Sequence, residues 1–307
     1  MRSEHRDDLE EFGDSTTRIN RGGHPPSVVT RHGIHSDVGR RRRHNEDVCG
    51  ASFPMFVVAD GMGGHEAGEV AAAIAVEELL SAAPGGTFAS AGDITEAIAR
   101  AAQRVFELAD SRSHGAPGTT LAALAFSTHR GLPCVRVFNI GDSRTYLLSG
   151  AEFAQVTTDH SEVQELLDAG SVTEVEARAL PRRNIITRSL GGGSGPYVAA
   201  DQYVIPAEAG DRYVVCSDGL SGEVTDALIE MVCRAIPNPQ AAADELVKMA
   251  LTAGGKDNVT VLIVDVVEAS PKWAKKTERG AALGDSPDDD TVPAGRSKSS
   301  GEEEVTS

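Results

Sequence analysis

Four aspartates stand at the ends of apolar stretches, and this pattern constrains the fold more than any other feature of the sequence. Asp60, Asp142 and Asp218 each follow an apolar run that suits a buried strand, whereas Asp257 comes just before such a run. In antiparallel neighbours the end of one strand lies beside the start of the next, so all four carboxylates can collect at one edge. The pattern therefore predicts antiparallel sheets with an acidic site at that edge.

The stretch from Phe56 to Gly64 shows the pattern most clearly, because its apolar run ends at Asp60 and is followed by Gly-Met-Gly-Gly. Glycines leave room for a ligand to approach the carboxylate. The same letters also fit an ordinary Asp-Gly turn at the end of a strand. This segment alone does not separate the two interpretations, and the three distant carboxylates favour a site.

Composition excludes several classes of protein. The chain has 307 residues, 40% apolar content and a formal charge of −17, which suits a folded protein and argues against nucleic acid as a partner. Its 4 cysteines have no paired spacing, no apolar run is long enough to span a membrane, and the N-terminus is charged. We expect a cytoplasmic monomer that binds neither nucleic acid nor membrane.

The two ends of the chain are polar and charged, and they differ in composition from the middle. We predict a disordered leader at 1–27, a folded domain at 28–268 and a disordered, charged tail at 269–307. Within the domain, 159–190 has a short helix followed by polar sequence without core periodicity. This stretch is predicted to form a surface flap.

Two scaffold helices are predicted after the Asp60 segment. Apolar residues at helical spacing in the alanine-rich stretch 69–82 indicate the first. Asp93 followed by Glu96 is typical of a capping box, and apolar spacing then continues to about Ser111. The second helix is therefore expected to begin at Asp93.

Clustered carboxylates repel one another, so they stay ionised together only beside compensating positive charge. An oxygen-only ligand set, without Cys or His at metal spacing, favours Mg²⁺ or Mn²⁺ over zinc. Asp60 is expected to bridge two ions, and the Gly61 carbonyl can join it because glycine lets backbone oxygen approach closely. Two such ions can activate water for in-line attack at phosphorus, so phosphate-ester hydrolysis is the predicted chemistry.

Four consecutive arginines precede this segment, at 40–43. Three of them are interpreted as a solvated basic patch: Arg40, Arg41 and Arg43. Arg42 is assigned to the site, because a guanidinium can hold two phosphate oxygens with paired hydrogen bonds. Glu46 and Asp47 follow closely enough in the chain to hold metal-bound water or a metal ion.

Motifs spread over most of the predicted domain make the sequence resemble the PP2C-type (PPM family) metal-dependent protein serine/threonine phosphatases, in their compact bacterial form. In chain order the matching pieces are Arg42-x-x-Asn45-Glu46-Asp47, Asp60-Gly61-Met62-Gly63-Gly64, Gly118-Thr119-Thr120, Asn139-Ile140-Gly141-Asp142-Ser143-Arg144, Asp159-His160, Ser217-Asp218-Gly219-Leu220 and Lys256-Asp257-Asn258-Val259-Thr260. The resemblance implies an α+β fold, an αββα sandwich of two antiparallel sheets flanked by helix pairs.

The resemblance also implies a role for each matching residue. It assigns the two catalytic Mn²⁺ or Mg²⁺ ions to Asp60, Gly61, Asp218 and Asp257, with Glu46 and Asp47 in support. Arg42 would bind the substrate phosphate, and Asp142, with Asp218, matches a third metal position of bacterial members. Asn258, in the last motif, is expected to support the site.

Met62 departs from the eukaryotic form of the family, in which a histidine at this position can protonate the leaving alkoxide. Bacterial members commonly share the departure. His160 is a candidate proton donor if the flap brings it close, and a surface or capping role is the alternative for a histidine before a helix.

The predicted function is hydrolysis of phosphoserine or phosphothreonine on proteins, with Ser/Thr kinases or their substrates as partners. Two alternatives stay open: a pseudophosphatase that binds without turnover, and a metal-dependent phosphodiesterase or nuclease. The complete acid set argues against the first, and the acidic charge of the domain argues against the second. No cysteine is followed six residues later by arginine, so a cysteine-based phosphatase mechanism is excluded.

Overall fold

The computed structural model describes residues 25–63, 67–83, 88–110, 116–173, 176–177, 180 and 185–271, together with the backbone of Ser15–Thr16. Most of the predicted leader and tail, and part of the predicted flap, lie outside these residues. Their disorder and the domain boundaries therefore stay predictions.

Two antiparallel sheets form the centre of the fold. The first contains, in spatial order, β1 (Ser15–Thr16), β2 (Ser27–Asp37), β13 (Val259–Ser270), β12 (Arg212–Cys216), β8 (Arg144–Ser149) and β9 (Glu152–Gln155). The second contains β10 (Leu190–Gly191), β5 (Gly118–Thr119), β4 (Met55–Met62), β6 (Leu121–His129), β7 (Leu132–Ile140) and β11 (Asp201–Pro206), and β3 (Asp47–Ser52) pairs with β4. The antiparallel arrangement that the aspartate pattern predicts is confirmed.

Helix pairs cover the outer faces of both sheets. The second sheet packs against α1 (Ala67–Leu80) and α2 (Ala91–Asp110), and the first against α5 (Asp226–Ala235) and α6 (Pro239–Ala253). Two short helices, α3 (Glu162–Asp168) and α4 (Asp218–Ser221), lie in connections. The α+β sandwich is confirmed. Across the described ranges, no helix combines the length and apolar character that a bilayer crossing needs.

Strand β4 shows why the apolar run before Asp60 has no polar residue. Side chains alternate between the two faces of a strand. Val57 belongs to the core under α1 and α2, whereas Phe56 and Val58 belong to the core between the two sheets. Both faces of the strand are buried, so each position before Asp60 is apolar. The first polar side chain can therefore appear only at the edge of the sandwich.

The cap of α2 lies one turn before the predicted position. The Asp93 backbone N–H donates to Ser90 Oγ at 3.1 Å, and the Ser90 hydroxyl donates to Asp93 Oδ2 at 2.7 Å. Ser90 thus holds the first position of the capping box and Asp93 the last. The predicted start at Asp93 was wrong, because an acidic residue suits either end of this motif.

Candidate metal centre

Two predicted ligands meet across the strand pair of β3 and β4, where Asp47 is the register partner of Asp60. Directly opposed residues share a face of the sheet, so these carboxylates lie close together. Asp47 is 6% exposed. Burial raises the pKa of Asp47 to about 7, and repulsion from Asp218 and Asp257 adds to the rise, although the hydrogen bond from Ser217 opposes it.

Asp60 lies in the field of four other carboxylates. Burial raises the pKa of Asp60 well above its usual value, and repulsion from the others raises it further; these are Asp47, Asp218, Asp142 and Asp257. Antiparallel pairing explains why Asp218 and Asp257 are near each other. Cys216, at the end of β12, pairs with Val261, near the start of β13, so the residues that follow β12 lie beside those that precede β13. The structure therefore brings the predicted carboxylates into one region.

Asp142 lies two residues after the end of β7 and is 7% exposed. Burial raises the pKa of Asp142 to about 8, and repulsion from Asp218 and Asp159 contributes. Among the described residues, one buried oxygen of Asp142 and one of Asp47 have no hydrogen-bond partner, in each case Oδ1. Unpartnered buried oxygens are costly, so both side chains have the capacity to accept a ligand.

Arg42 lies at the rim of this cluster. Its Nη2 is 2.7 Å from Asp257 Oδ2, and its side chain is 49% exposed. Burial disfavours the charge, but the hydrogen bond to Asp257 and attraction to Asp257, Asp60 and Asp218 raise the pKa of Arg42 above its usual value. The guanidinium therefore stays charged and faces both the carboxylates and solvent.

The backbone of Asp60 is fixed by two threonines that the sequence motif contains but to which we assigned no role. Its N–H donates to Thr120 Oγ1 at 2.9 Å, and its carbonyl accepts from the Thr120 N–H at 2.9 Å. The Thr119 hydroxyl donates to the same carbonyl at 3.0 Å. The Thr120 hydroxyl is also hydrogen-bonded to Ser143, beside Asp142, at 2.7 Å. These bonds link the positions of two of the carboxylates.

Gly61 and Gly68 pack backbone against backbone. A Cβ on Gly61 would collide with the Gly68 carbonyl and would lie 2.6 Å from the Glu46 carbonyl. A Cβ on Gly68 would lie 2.8 Å from the Met62 nitrogen and 3.0 Å from Glu46 Oε1. The start of α1 can thus approach the strand that carries Asp60. Sequence reasoning missed Gly68, and the available signal was a glycine directly before the alanine-rich stretch at 69–82.

Asn258 connects the Arg42 loop to the start of β13. Its Nδ2 donates to the carbonyls of Val38 and His44 at 2.9 Å, and its Oδ1 accepts from the Glu46 N–H at 2.9 Å. The position of Arg42 and Glu46 relative to Asp257 depends on these bonds. This geometry agrees with the supporting role expected for Asn258.

His160 is buried, at 8% exposed, and the cap of α3 is Ser161, so the surface or capping alternative was wrong. Its Nδ1 accepts a 3.0 Å hydrogen bond from the Gly141 N–H, and its Nε2 lies 3.2 Å from Asp201 Oδ2. Burial lowers the pKa of His160, and the charge of Arg188 acts in the same direction. Both ring nitrogens face partners outside the carboxylate cluster, so His160 supports the loop before Asp142.

Ser217 is a further residue whose role the sequence did not reveal. Its hydroxyl donates to Asp47 Oδ2 at 2.7 Å and accepts from the Thr260 N–H at 3.0 Å. The available signal was a hydroxyl directly before the Asp218 carboxylate at the end of an apolar strand. Ser217 positions Asp47 from the opposite sheet.

In the part of the chain that the structure describes, no three carboxylate, histidine or cysteine side chains converge closely enough to form a complete metal site. One predicted ligand, Asp257, is instead paired with Arg42. The donor chemistry nevertheless fits a hard divalent cation, because the clustered groups are carboxylates and the Oδ1 atoms of Asp47 and Asp142 lack partners.

The family model for protein phosphatase 2C matches residues 39–258. This span is most of the chain and contains the Arg42 loop and every carboxylate of the cluster. The chain therefore belongs to the protein phosphatase 2C family.

Relatives and solved structures agree with this assignment. The chain is 37% identical over 262 residues to the serine/threonine protein phosphatase PstP of Mycobacterium tuberculosis, covering 84% of this chain and 49% of the relative. It therefore spans about half the length of that relative. The serine/threonine phosphatase stp of Listeria monocytogenes is 38% identical over 242 residues, 75% of this chain and 93% of the relative.

A crystal structure of the PstP catalytic domain in complex with two manganese ions superposes with a TM-score of 0.70. The two sequences are 36% identical, and the match covers 78% of this chain and 100% of that one. The whole solved catalytic domain thus has a counterpart here.

Proposed function

We propose that this chain is a metal-dependent protein serine/threonine phosphatase that hydrolyses phosphoserine and phosphothreonine on proteins. The observation that carries the proposal is the pairing of Asp47 with Asp60 in a region where three further aspartates raise the Asp60 pKa, with Arg42 paired to Asp257 at its edge. The names of the relatives, PstP and stp, support it. We further propose a cytoplasmic monomer that acts on Ser/Thr kinases or their substrates.

Two Mn²⁺ or Mg²⁺ ions are assigned to this site, held by Asp60, the Gly61 carbonyl, Asp218 and Asp257, with Glu46 and Asp47 in support. Asp142, with Asp218, would hold a third. The two manganese ions in the related PstP domain and the unpartnered Asp47 and Asp142 oxygens support the assignment. When bound, such ions neutralise the carboxylates and activate water for attack at phosphorus.

Arg42 binds and orients the phosphate in this proposal. Its guanidinium is half exposed and carries paired donors that match two phosphate oxygens. One donor of Arg42, Nη2, is hydrogen-bonded to Asp257. Its remaining donors would be available to the substrate phosphate.

The remaining residues hold this machinery in place. Thr119 and Thr120 fix the backbone of Asp60, and Ser217 fixes Asp47. Such bonds favour one geometry of the carboxylates before substrate binds, as positional catalysis requires. Neither Met62, a thioether, nor His160, whose ring faces other partners, supplies the proton for the leaving alkoxide. We assign that proton to water.

The test uses the full chain with Mn²⁺ or with EDTA, on p-nitrophenyl phosphate, a phosphothreonine peptide and bis-p-nitrophenyl phosphate. We expect Mn²⁺-dependent hydrolysis of the two monoesters, and its loss in Asp218→Ala. Metal binding without turnover on either monoester would instead identify a pseudophosphatase. A diester rate above the monoester rate would favour a phosphodiesterase or nuclease.

A further inference from the structure

The loop that carries the arginine run is fixed beside the candidate site. The Arg40 N–H donates to the Gly255 carbonyl at 2.7 Å, and its side-chain Nε donates to the Leu251 carbonyl at 2.7 Å. Gly39 has a φ of 77°, and a Cβ there would collide with the Asp257 carbonyl. Arg40 is therefore a structural anchor, although the sequence suggested only a solvated side chain.

The four arginines divide into two kinds. Arg40 and Arg42 point their donors at partners within the fold. Arg41 and Arg43 are exposed, and within the described ranges neither makes an ion pair or a side-chain hydrogen bond. Several other arginines of this acidic chain pair with carboxylates; Arg104, for example, pairs with Glu77 and Glu78. Arg41 and Arg43 thus flank Arg42 in the chain and carry exposed guanidinium groups that have no partner among the described residues.

We propose that Arg41 and Arg43 form a docking surface for acidic phosphoprotein segments, in which carboxylates or a second phosphate flank the phosphorylated residue. This inference rests on the proposed function of the site. A substrate must bring its negative charge towards a cluster of carboxylates, and two exposed cations on the residues next to Arg42 offset that repulsion. Anionic flanks would add favourable contacts, whereas basic flanks would add repulsion.

The spacing of residues along the chain limits which positions of a substrate Arg41 and Arg43 can contact. Consecutive Cα atoms are about 3.8 Å apart, so the side chains of Arg41 and Arg43 branch from the backbone at about this distance from the Arg42 Cα. An extended substrate advances about 3.3–3.6 Å per residue. The anionic groups that these side chains can reach are therefore within a few residues of the phosphorylated one.

The experiment compares kcat/KM of the full chain with Mn²⁺ on phosphothreonine peptides that differ only in their flanks. The flanks are alanines, glutamates, lysines, or one further phosphothreonine, two and three residues away. For the parent protein we expect glutamate or phosphothreonine flanks to be favoured over alanine by about 3- to 10-fold, mainly through KM, because exposed ion pairs are individually weak. The preference should shrink as salt rises from low concentration, because the cations are exposed.

Variants of Arg41 and Arg43 test the docking surface separately from the metal and phosphate site. Arg41→Ala/Arg43→Ala should reduce the preference to less than about twofold, and Arg41→Lys/Arg43→Lys should retain most of it. Arg130→Ala is the matched control, because Arg130 is exposed at the turn between β6 and β7, away from the site end of the sheet at Thr120. It should leave the preference unchanged.

Two results would overturn the inference, and they are distinct from failure of the proposed function. The parent protein could cleave all flanks equally, or the preference could survive in Arg41→Ala/Arg43→Ala. Either result would return both arginines to a solvated patch while the phosphatase activity stood. Absence of hydrolysis on every peptide would overturn the proposed function itself, and the docking surface with it.

Discussion

The Ser217 hydroxyl donates a 2.7 Å hydrogen bond to Asp47 Oδ2, and this bond joins the two sheets at their acidic edge. Asp47 is the first residue of β3, which pairs with β4 of the second sheet. Ser217 follows β12 of the first sheet. Ser217 is fully buried, and its oxygen also accepts from the Thr260 N–H. One hydroxyl therefore holds a candidate ligand from across the sandwich.

Ser217→Ala should destabilise the metal-free protein. The change leaves both the buried Asp47 oxygen and the Thr260 N–H without this partner, which costs about 1–3 kcal/mol of unfolding free energy. Urea unfolding in EDTA measures the loss. Thr145→Val is the control, because it removes a buried hydroxyl that has no partner among the described residues. Equal stability of Ser217→Ala and the parent would contradict the proposed role.

Gly68→Ala should destabilise the protein, although glycine-to-alanine changes within helices ordinarily stabilise them by about 0.5–1 kcal/mol. The new Cβ would lie 2.8 Å from the backbone of Gly61 and Met62. Overpacking of this kind costs about 1–3 kcal/mol, so we expect a lower Tm. Gly195→Ala, where a Cβ would meet nothing within 4 Å, is the control. A raised Tm for Gly68→Ala would show that the close approach is not required.

The raised pKa of Asp142, about 8, makes its contribution to stability depend on pH. An unfolded chain ionises an aspartate near its ordinary pKa of about 3.9. Between these two values the folded, metal-free protein holds a proton that the unfolded chain has released, so this contribution falls as pH rises from about 4 to about 8. His160, whose pKa is lowered, acts in the opposite direction over the acidic part of this range.

A difference measurement reports on Asp142 together with its repulsion of Asp60. Asp142→Asn removes the titrating group and leaves His160 in place, so the variant should gain stability relative to the parent as pH rises through this window. Urea unfolding of both proteins in EDTA at several pH values gives the comparison. A constant difference between pH 4 and 8 would show that Asp142 does not titrate as its burial indicates.

Arg42→Ala should impair substrate handling and spare metal binding. Hydrogen bonds to charged groups contribute about 1.5–3 kcal/mol, so kcat/KM should fall about 10- to 100-fold, with a higher KM and a lower kcat. Arg42→Lys keeps the charge without the paired donors and should recover only part of the loss. Calorimetry with Mn²⁺ supplies the control. An equal loss of Mn²⁺ affinity would show that the role of Arg42 was misassigned.

Patterns along the chain predicted those parts of the molecule that depend on alternation and on strand ends. The apolar run before Asp60 is buried on both faces, and the aspartates after β7 and β12 lie at one edge because all the pairings are antiparallel. These features follow from local periodicity together with one rule of sheet geometry. They need no knowledge of which distant residues touch.

Features that depend on long-range contacts could not be predicted in this way. The pairing of Asp47 with Asp60 requires β3, whose sequence Asp-Val-Cys-Gly-Ala-Ser lacks a clear strand pattern. The burial of His160 depends on Gly141 and Asp201, which lie far from it in sequence. Hydrogen bonds between distant segments leave little trace in local composition.

Asp60→Asn tests whether the Asp60 carboxylate is required for Mn²⁺-dependent hydrolysis, because it removes one negative charge and retains the size and backbone bonds of the residue. The measurement is kcat/KM on a phosphothreonine peptide as a function of Mn²⁺ concentration, for the parent and the variant. We expect saturable activation of the parent by Mn²⁺, no activity in EDTA, and a loss of at least about 100-fold in Asp60→Asn. Hydrolysis by the parent in EDTA, or unchanged Mn²⁺-dependent hydrolysis by Asp60→Asn, would contradict this expectation.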